Sequence, residues 1–196
     1  MKPSFDDLDA SASSAGPALG LLEIGSIAEG FAAADRVVKA APVRLLLCRP
    51  ASPGKQLVLF AGEVAAVTSA LRAGSEGLSQ PPLDTLLLPQ ADPAVVVALG
   101  SAGRKVRFDA AGVVECATVA TLLVAADVAV KTAEVDLVTI RAAVGLGGKS
   151  FFVCGGEVSQ VRAAVHAAAG FARSRNHLVA EVVLAQPHRD LDLWLA

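Results

Sequence analysis

Aromatic side chains are scarce in this sequence: tyrosine is absent, tryptophan occurs once, and aromatic residues make up only 4% of the chain. Domains that stack nucleobases need paired aromatics on their strands, and phosphate binding needs a basic surface. The formal net charge is −2, without a basic stripe. Apolar stretches also fall short of the 18 or so residues that cross a bilayer. These absences argue against nucleic acid and against a membrane as partners.

Residues that build reactive or metal-binding sites are equally sparse. The cysteines share no CxxC spacing, which fits buried thiols in a reducing cytosol rather than a disulfide framework. The histidines show no metal-ligand spacing, and the sequence has no G-x-S-x-G nucleophile motif. We therefore predict no metal site, no catalytic site and no enzymatic activity. The cysteines are Cys48, Cys116 and Cys154, and the histidines are His166, His177 and His188.

One motif approaches a phosphate-binding loop. The segment AVGLGGKS (143–150) has Gly148, Lys149 and Ser150 in place, but Ala143 stands where the loop needs glycine. A phosphate loop feeds a helix, whereas the segment that follows here, FFVC, is typical of a strand. The motif does not support nucleotide hydrolysis.

The dominant feature is an internal repeat. AAADRVVKAAPVRLLLCR (32–49) aligns with VAADVAVKTAEVDLVTIR (124–141). Over this region and its flanks about 12 of about 29 positions are identical at an offset of about 92, which becomes about 94 after the next loop. A unit of this length is too long for a solenoid and indicates a tandem domain duplication. We predict an N-terminal lead over 1–16, which lacks the features of a signal peptide, then a first domain over 17–100, a linker over 101–110 and a second domain over 111–196.

Both copies show the same order of elements. A short strand is followed by a helix, two strands that form a hairpin, a second helix and a last strand, then a short helix. Ser26 with Glu29 is a capping box, and Thr118 is the N-cap of the equivalent helix. The apolar face of this helix is predicted to comprise Ile27, Phe31, Ala34 and Val38 in the first copy and Val119, Leu123, Ala126 and Val130 in the second. The order βαββαβ predicts an α+β fold with two tandem ferredoxin-like domains.

The ordered set of motifs resembles the bacterial microcompartment shell domain. It comprises GLLEIGSIAEGFAAADRVVKAAPVRLL (20–46), then GK opening a strand and GEV opening a helix, and GVVECATVATLLVAADVAVKTAEVDLV (112–138) repeats it. The ending AQPHRDLDLWL (185–195) is similar to the family's RPHxDL terminus, with Gln186 where arginine is usual. Because both copies begin with strand one, the chain resembles the single-layer tandem shell proteins, such as that of propanediol-utilising compartments.

The resemblance implies a structural role. Three chains with two domains each would form a pseudo-hexameric homotrimer that packs edge to edge with hexameric and pentameric shell proteins, in a microcompartment in the bacterial cytoplasm. The lysines that end the first helix, Lys39 and Lys131, are implied to lie at the edge of the tile.

The resemblance also implies a central pore for small metabolites. The loops between the two hairpin strands would line it, with Ser52, Pro53 and Gly54 alternating with Gly145, Leu146 and Gly147. The tandem relative just named carries CPGK in the first loop, where its cysteine holds an iron–sulfur cluster. This chain has SPGK, and a serine hydroxyl is a poor ligand for iron. We therefore expect no cofactor.

A second interpretation stays open at this point. Cytosolic ligand-binding or regulatory proteins built on duplicated ferredoxin-like domains also form trimers and also have glycine-rich loops. Sheet formation at high concentration would separate the two classes.

Overall fold

The computed structural model describes residues 16–100, 108–143 and 145–191. They form two four-stranded antiparallel sheets, each with helices packed on it. The strands of the first sheet are β1 (Ala18–Ile24), β2 (Arg44–Ala51), β3 (Lys55–Gly62) and β4 (Asp84–Leu88), and those of the second are β5 (Ala110–Cys116), β6 (Asp136–Ala142), β7 (Ser150–Gly156) and β8 (Leu178–Ala185). The helices are α1 (Ile27–Ala40), α2 (Val64–Ser75), α3 (Pro93–Gly100), α4 (Val119–Thr132) and α5 (Val158–Ser174), and a 3-10 turn spans Arg189–Leu191.

The strand orders confirm the predicted fold. The first sheet has the order β2-β3-β1-β4 and the second the order β6-β7-β5-β8, which is the same arrangement in each copy. The register also repeats, because Glu23 lies opposite Leu57 in the first sheet and Glu115 opposite Phe151 in the second. Both copies are therefore ferredoxin-like α+β units in the unpermuted order. The predicted lead, apart from Gly16, and most of the predicted linker lie outside the described residues.

The helix caps are as predicted, with one difference. The Ser26 hydroxyl accepts a hydrogen bond from the Glu29 amide, and Thr118 does the same for Thr121. The Glu29 carboxylate, however, accepts from the Ser79 amide at 3.0 Å rather than turning back to the cap. Hydrogen bonding from the Ser79 side chain, and then from its amide, lowers the pKa of Glu29 below its usual value. Glu29 thus links α1 to the segment after α2, which the motif alone did not indicate.

The prediction of the apolar face of the first helix was right for Ala34, which is buried, and wrong for the other three residues. Ile27, Phe31 and Val38 are exposed, at 39%, 54% and 43%. The side of α1 that packs on the sheet is lined instead by small residues, namely Gly30, Ala33, Ala34 and Val37. In α4 the prediction was right for Val119, Leu123 and Ala126, which are buried, while Val130 is half-buried.

The two domains share one core. The larger apolar cluster combines residues of the first sheet and α3 with residues of α4, α5 and the second sheet. Helix α3 packs against β6, and α4 packs against β1 and β4 of the first domain. A separate cluster lies between α1, α2 and the first sheet. The junction between the copies is therefore continuous with the hydrophobic core.

Candidate functional site at the central loops and the domain junction

The structure brings the two predicted pore loops together. The Ser52 amide donates a hydrogen bond to the Ala143 carbonyl at 3.1 Å, so the end of β2 is joined to the end of β6. Gly148 lies directly against Pro53, and a Cβ at this glycine would come within 3.0 Å of the proline ring. The two hairpin loops, which are about 90 residues apart in sequence, therefore lie next to each other in the structure.

Within these loops most of the predicted pore-lining residues are open to solvent. Pro53, Gly54, Gly145 and Gly147 are exposed, and Ser52 and Leu146 are half-buried. Gly54, Gly145 and Gly147 have φ of 108°, 71° and 60°, in the left-handed region that favours glycine. The loops therefore present short side chains and backbone groups.

A buried ion pair holds the first loop against the second domain. Lys55 Nζ lies 2.6 Å from Glu23 Oε2, with side chains 6% and 0% exposed. The second carboxylate oxygen of Glu23 accepts the Ala120 amide at 2.7 Å, at the start of α4. Lys55 also donates to the Gly148 carbonyl at 3.2 Å. Each polar atom of the pair has a partner in the other domain or in the pair itself, which is what a buried charge requires.

The same pair in the second copy is open. Lys149 Nζ lies 3.1 Å from Glu115 Oε1, with side chains 52% and 31% exposed. Lys149 is thus an ion-pair partner rather than the lysine of a phosphate loop, and Ser150 begins strand β7 rather than a helix. This confirms the prediction that the near-match to the phosphate motif leads into a strand.

A second polar cluster at the junction was not foreseen from the sequence. Asp84, on β4 and only 5% exposed, accepts hydrogen bonds from the Thr118 hydroxyl at 2.7 Å and from Arg175 at 2.9 Å. Thr121 contacts both Asp84 and His177 Nδ1, the latter at 2.7 Å. These residues come from three distant segments and have no shared spacing, so only the tertiary structure reveals them.

The two helix-ending lysines differ in their surroundings. Lys39 pairs with Asp35, one turn earlier, and both side chains are exposed. Lys131 pairs with Asp127 at 2.7 Å and also donates to the Gln90 carbonyl, in the connection between β4 and α3. Lys131 therefore lies where the two domains meet, with 46% of its side chain still exposed.

The buried thiols are poorly suited to chemistry. Burial raises the pKa of Cys116 to about 12 and that of Cys154 to about 12. Cys48 is half-buried, and its sulfur accepts a hydrogen bond from Gln56. Among the residues that the structure describes, no three His, Cys, Asp or Glu side chains are grouped as metal ligands. No helix in the described ranges is long and apolar enough to span a bilayer.

Comparison with known proteins identifies the repeated unit. The BMC domain model matches residues 18–90 and again 110–187. The chain belongs to the BMC-domain family. Among its relatives, the bacterial microcompartment shell protein PduT of Citrobacter freundii is 37% identical over 174 residues, which cover 89% of this chain and 95% of PduT.

Solved structures of BMC-domain proteins agree. A microcompartment protein from Desulfitobacterium hafniense has a TM-score of 0.83 and 43% identity, covering 90% of this chain and 98% of that one. The fused permuted hexameric shell protein MSM0275 has a TM-score of 0.62 at 21% identity and shows the shared fold alone. Relatives of this kind are structural proteins, in agreement with the prediction that the chain is not an enzyme.

Proposed function

We propose that this BMC-domain protein is a structural tile of a bacterial microcompartment shell, located in the cytoplasm, in which three chains form a pseudo-hexamer with a central pore. The family membership and the match to PduT over nearly the whole of both chains support the shell role. The trimer, the pore and the neighbours in the shell are the finer parts of the proposal.

One observation supports the trimer. The chain has the two surfaces that would form a second domain junction, and each is left exposed within the described residues. Within the chain, α4 covers the edge strand β4. The repeat equivalents of these two elements are α1 and β8, and both expose apolar side chains. The exposed residues are Ile27, Phe31 and Val38 on α1 and Val179 and Val182 on β8.

The strand positions correspond residue by residue. Leu86 lies opposite Leu21 in the first sheet, and Val182 lies opposite Val113 in the second. Leu86 is 3% exposed because the second domain covers it, whereas Val182 is 45% exposed. A neighbouring chain that presents α1 to β8 would cover Val182 as α4 covers Leu86.

Head-to-tail contacts of this kind form a closed ring when the rotation from one chain to the next divides evenly into a full turn. The chain resembles single-domain shell proteins that form hexamers, so we infer a ring of six domains. Because each chain has two domains, such a ring contains three chains. The loops that carry Ser52, Pro53 and Gly54 and those that carry Gly145, Leu146 and Gly147 are adjacent within one chain, as a shared central axis requires. Small residues with accessible backbone amides would offer hydrogen bonds to small polar metabolites.

The tile edge would then join this trimer to hexameric and pentameric shell proteins. In this proposal Lys39 and Lys131 lie at that edge, and the pore binds no metal or cluster.

The test is the mass and the assembly behaviour of the purified chain. Light scattering at micromolar concentration is expected to give about three times the chain mass of 19.8 kDa, and negative-stain images at high concentration should show flat sheets. A stable monomer under these conditions would overturn the trimer. A trimer that never forms sheets, alone or mixed with hexameric shell proteins, would contradict the role as a tile.

A further inference from the structure

The open ion pair in the second domain has the same geometry as the buried pair in the first. Glu23 and Lys55 each use one further bond to reach the second domain: the carboxylate accepts the Ala120 amide, and the ammonium donates to the Gly148 carbonyl. Glu115 and Lys149 are joined to each other in the same way but are half exposed. Among the residues that the structure describes, their outward-facing atoms have no counterpart of the Ala120 amide and the Gly148 carbonyl.

The internal repeat identifies those neighbours. Ala120 is the second residue of α4, and Ala28 is the second residue of α1, with capping hydroxyls at Thr118 and Ser26 in equivalent positions. Gly148 directly precedes Lys149, as Gly54 directly precedes Lys55. Ala28 and Gly54 are both exposed. The amide of Ala28 lies in the first turn of its helix, where backbone N–H groups have no partner within the helix.

We propose that Glu115 and Lys149 form a hydrogen-bonded junction with the next chain of the ring. Glu115 accepts the backbone amide of Ala28 of the partner subunit, and Lys149 donates to the carbonyl of Gly54 of the partner subunit. This inference rests on the trimer proposed above and assigns residues to its interface.

The chemistry of the junction favours the bound form. A carboxylate at a helix N-terminus is stabilised by the positive end of the helix dipole. Hydrogen bonds to charged groups are stronger than neutral ones, more so once water is excluded. In the monomer the Glu115 and Lys149 side chains are in partial contact with water, so closing the ring gains two charge-assisted bonds per interface.

The junction also positions the pore loops. Lys55 fixes the second loop of its own chain through Gly148. Lys149 would fix the first loop of the next chain through Gly54. All six loops of the ring are then held by a lysine that belongs to the adjacent domain.

The experiment compares subunit dissociation in matched variants. Glu115→Gln and Lys149→Met remove the charges from the open pair. Ala28→Pro removes the N–H that would donate to the carboxylate and adds a proline ring, in the first helical turn where proline is tolerated. Glu157→Gln is the control, because Glu157 is an exposed carboxylate at the start of α5 that accepts hydrogen bonds from Ser159 of its own helix.

The measured quantity is the concentration at which half of the protein is dissociated, followed by mass photometry or sedimentation, with circular dichroism to confirm folding. Loss of a charge-assisted bond at each interface is expected to raise this concentration by at least about tenfold for the three test variants. The control should stay at the wild-type value. Combining Ala28→Pro with Glu115→Gln should add little, because both changes act on the same bond: one removes its donor and the other weakens its acceptor.

The outcomes separate this inference from the trimer itself. A wild-type protein that never trimerises contradicts the proposed function. A wild-type trimer whose midpoint is unchanged in Glu115→Gln and Lys149→Met overturns the junction, and so does strict additivity of Ala28→Pro with Glu115→Gln. If one variant fails to fold, the two others still decide the question.

Discussion

Phe31 and Leu123 occupy the same position in the first helix of the two repeats, yet Phe31 is 54% exposed and Leu123 is fully buried. Leu123 belongs to the core cluster that spans both domains. In the proposed trimer Phe31 fills the equivalent place against the next chain. A substitution of Leu123 should therefore report on folding, and a substitution of Phe31 on assembly.

Replacing the two residues by alanine should separate these processes. Leu123→Ala removes a fully buried side chain and is expected to lower the free energy of unfolding by about 2–5 kcal/mol. Phe31→Ala should leave the unfolding of the isolated chain nearly unchanged but shift the trimer toward monomer at micromolar concentration. Chemical denaturation and light scattering measure the two effects, and a Phe31→Ala trimer as stable as wild type would contradict the assignment.

The lysine at the end of α1 tests the tile edge. Among the described residues Lys39 pairs with Asp35 alone, so Lys39→Ala should leave both folding and trimer mass largely intact while it abolishes flat sheets in negative-stain images. Lys131→Ala is the contrasting variant, because it also removes the bonds to Asp127 and Gln90 and should lower stability measurably. Sheets that persist unchanged in Lys39→Ala would show that this lysine is not an edge contact.

Ser52 tests the pore. A hydroxyl is a poor ligand for iron, so the wild-type protein purified without oxygen should be colourless and contain far less than one iron–sulfur cluster per trimer. Ser52→Cys would place three thiols around a three-fold axis and is expected to produce visible absorbance after reconstitution. Lys39→Cys is the matched control, because Lys39 precedes the start of β2 whereas Ser52 follows its end. A colourless Ser52→Cys trimer would argue against Ser52 lying near the axis.

The thiols should react in two classes. A pKa of about 12 leaves almost no thiolate in Cys116 or Cys154 at pH 8, and both are buried. Native protein treated with iodoacetamide is therefore expected to be labelled at Cys48 alone, and unfolding should expose all three. Mass spectrometry of tryptic peptides gives the pattern, and rapid native labelling of Cys154 would mean that the second domain opens locally.

The fold could be predicted from the sequence because the same pattern of elements occurs twice in the chain. The repeat aligned caps, hairpins and strand order, and the structure confirms each of these. It was misleading for α1, since an exposed apolar stripe, which in the proposed trimer would lie in a subunit interface, has the same period as one that lies in the core. Ile27, Phe31 and Val38 could not be told from core residues by spacing, and the small residues that do face the sheet, such as Gly30 and Ala33, give a weak hydrophobic signal.

The site was predicted less completely. The loop residues were located by resemblance, and their contact through Ser52 and Ala143 follows from the tertiary structure. The polar cluster around Asp84 was missed because its members lie on three separate segments. The ion pair between Glu23 and Lys55 was also missed, although both residues recur in the second copy, and that recurrence is the signal that could have revealed it.

The shared core of the two domains affects how the proposed ring responds to dilution of the protein. In the proposed ring, three of the six domain contacts lie inside a chain, where the partner is always present whatever the protein concentration. Only the other three depend on collision between molecules. By mass action, ring formation then varies with the third power of concentration rather than the sixth power expected for single-domain subunits. A fused tile would therefore persist, at equal contact strength, in a cell that makes too little protein to hold a six-membered one together.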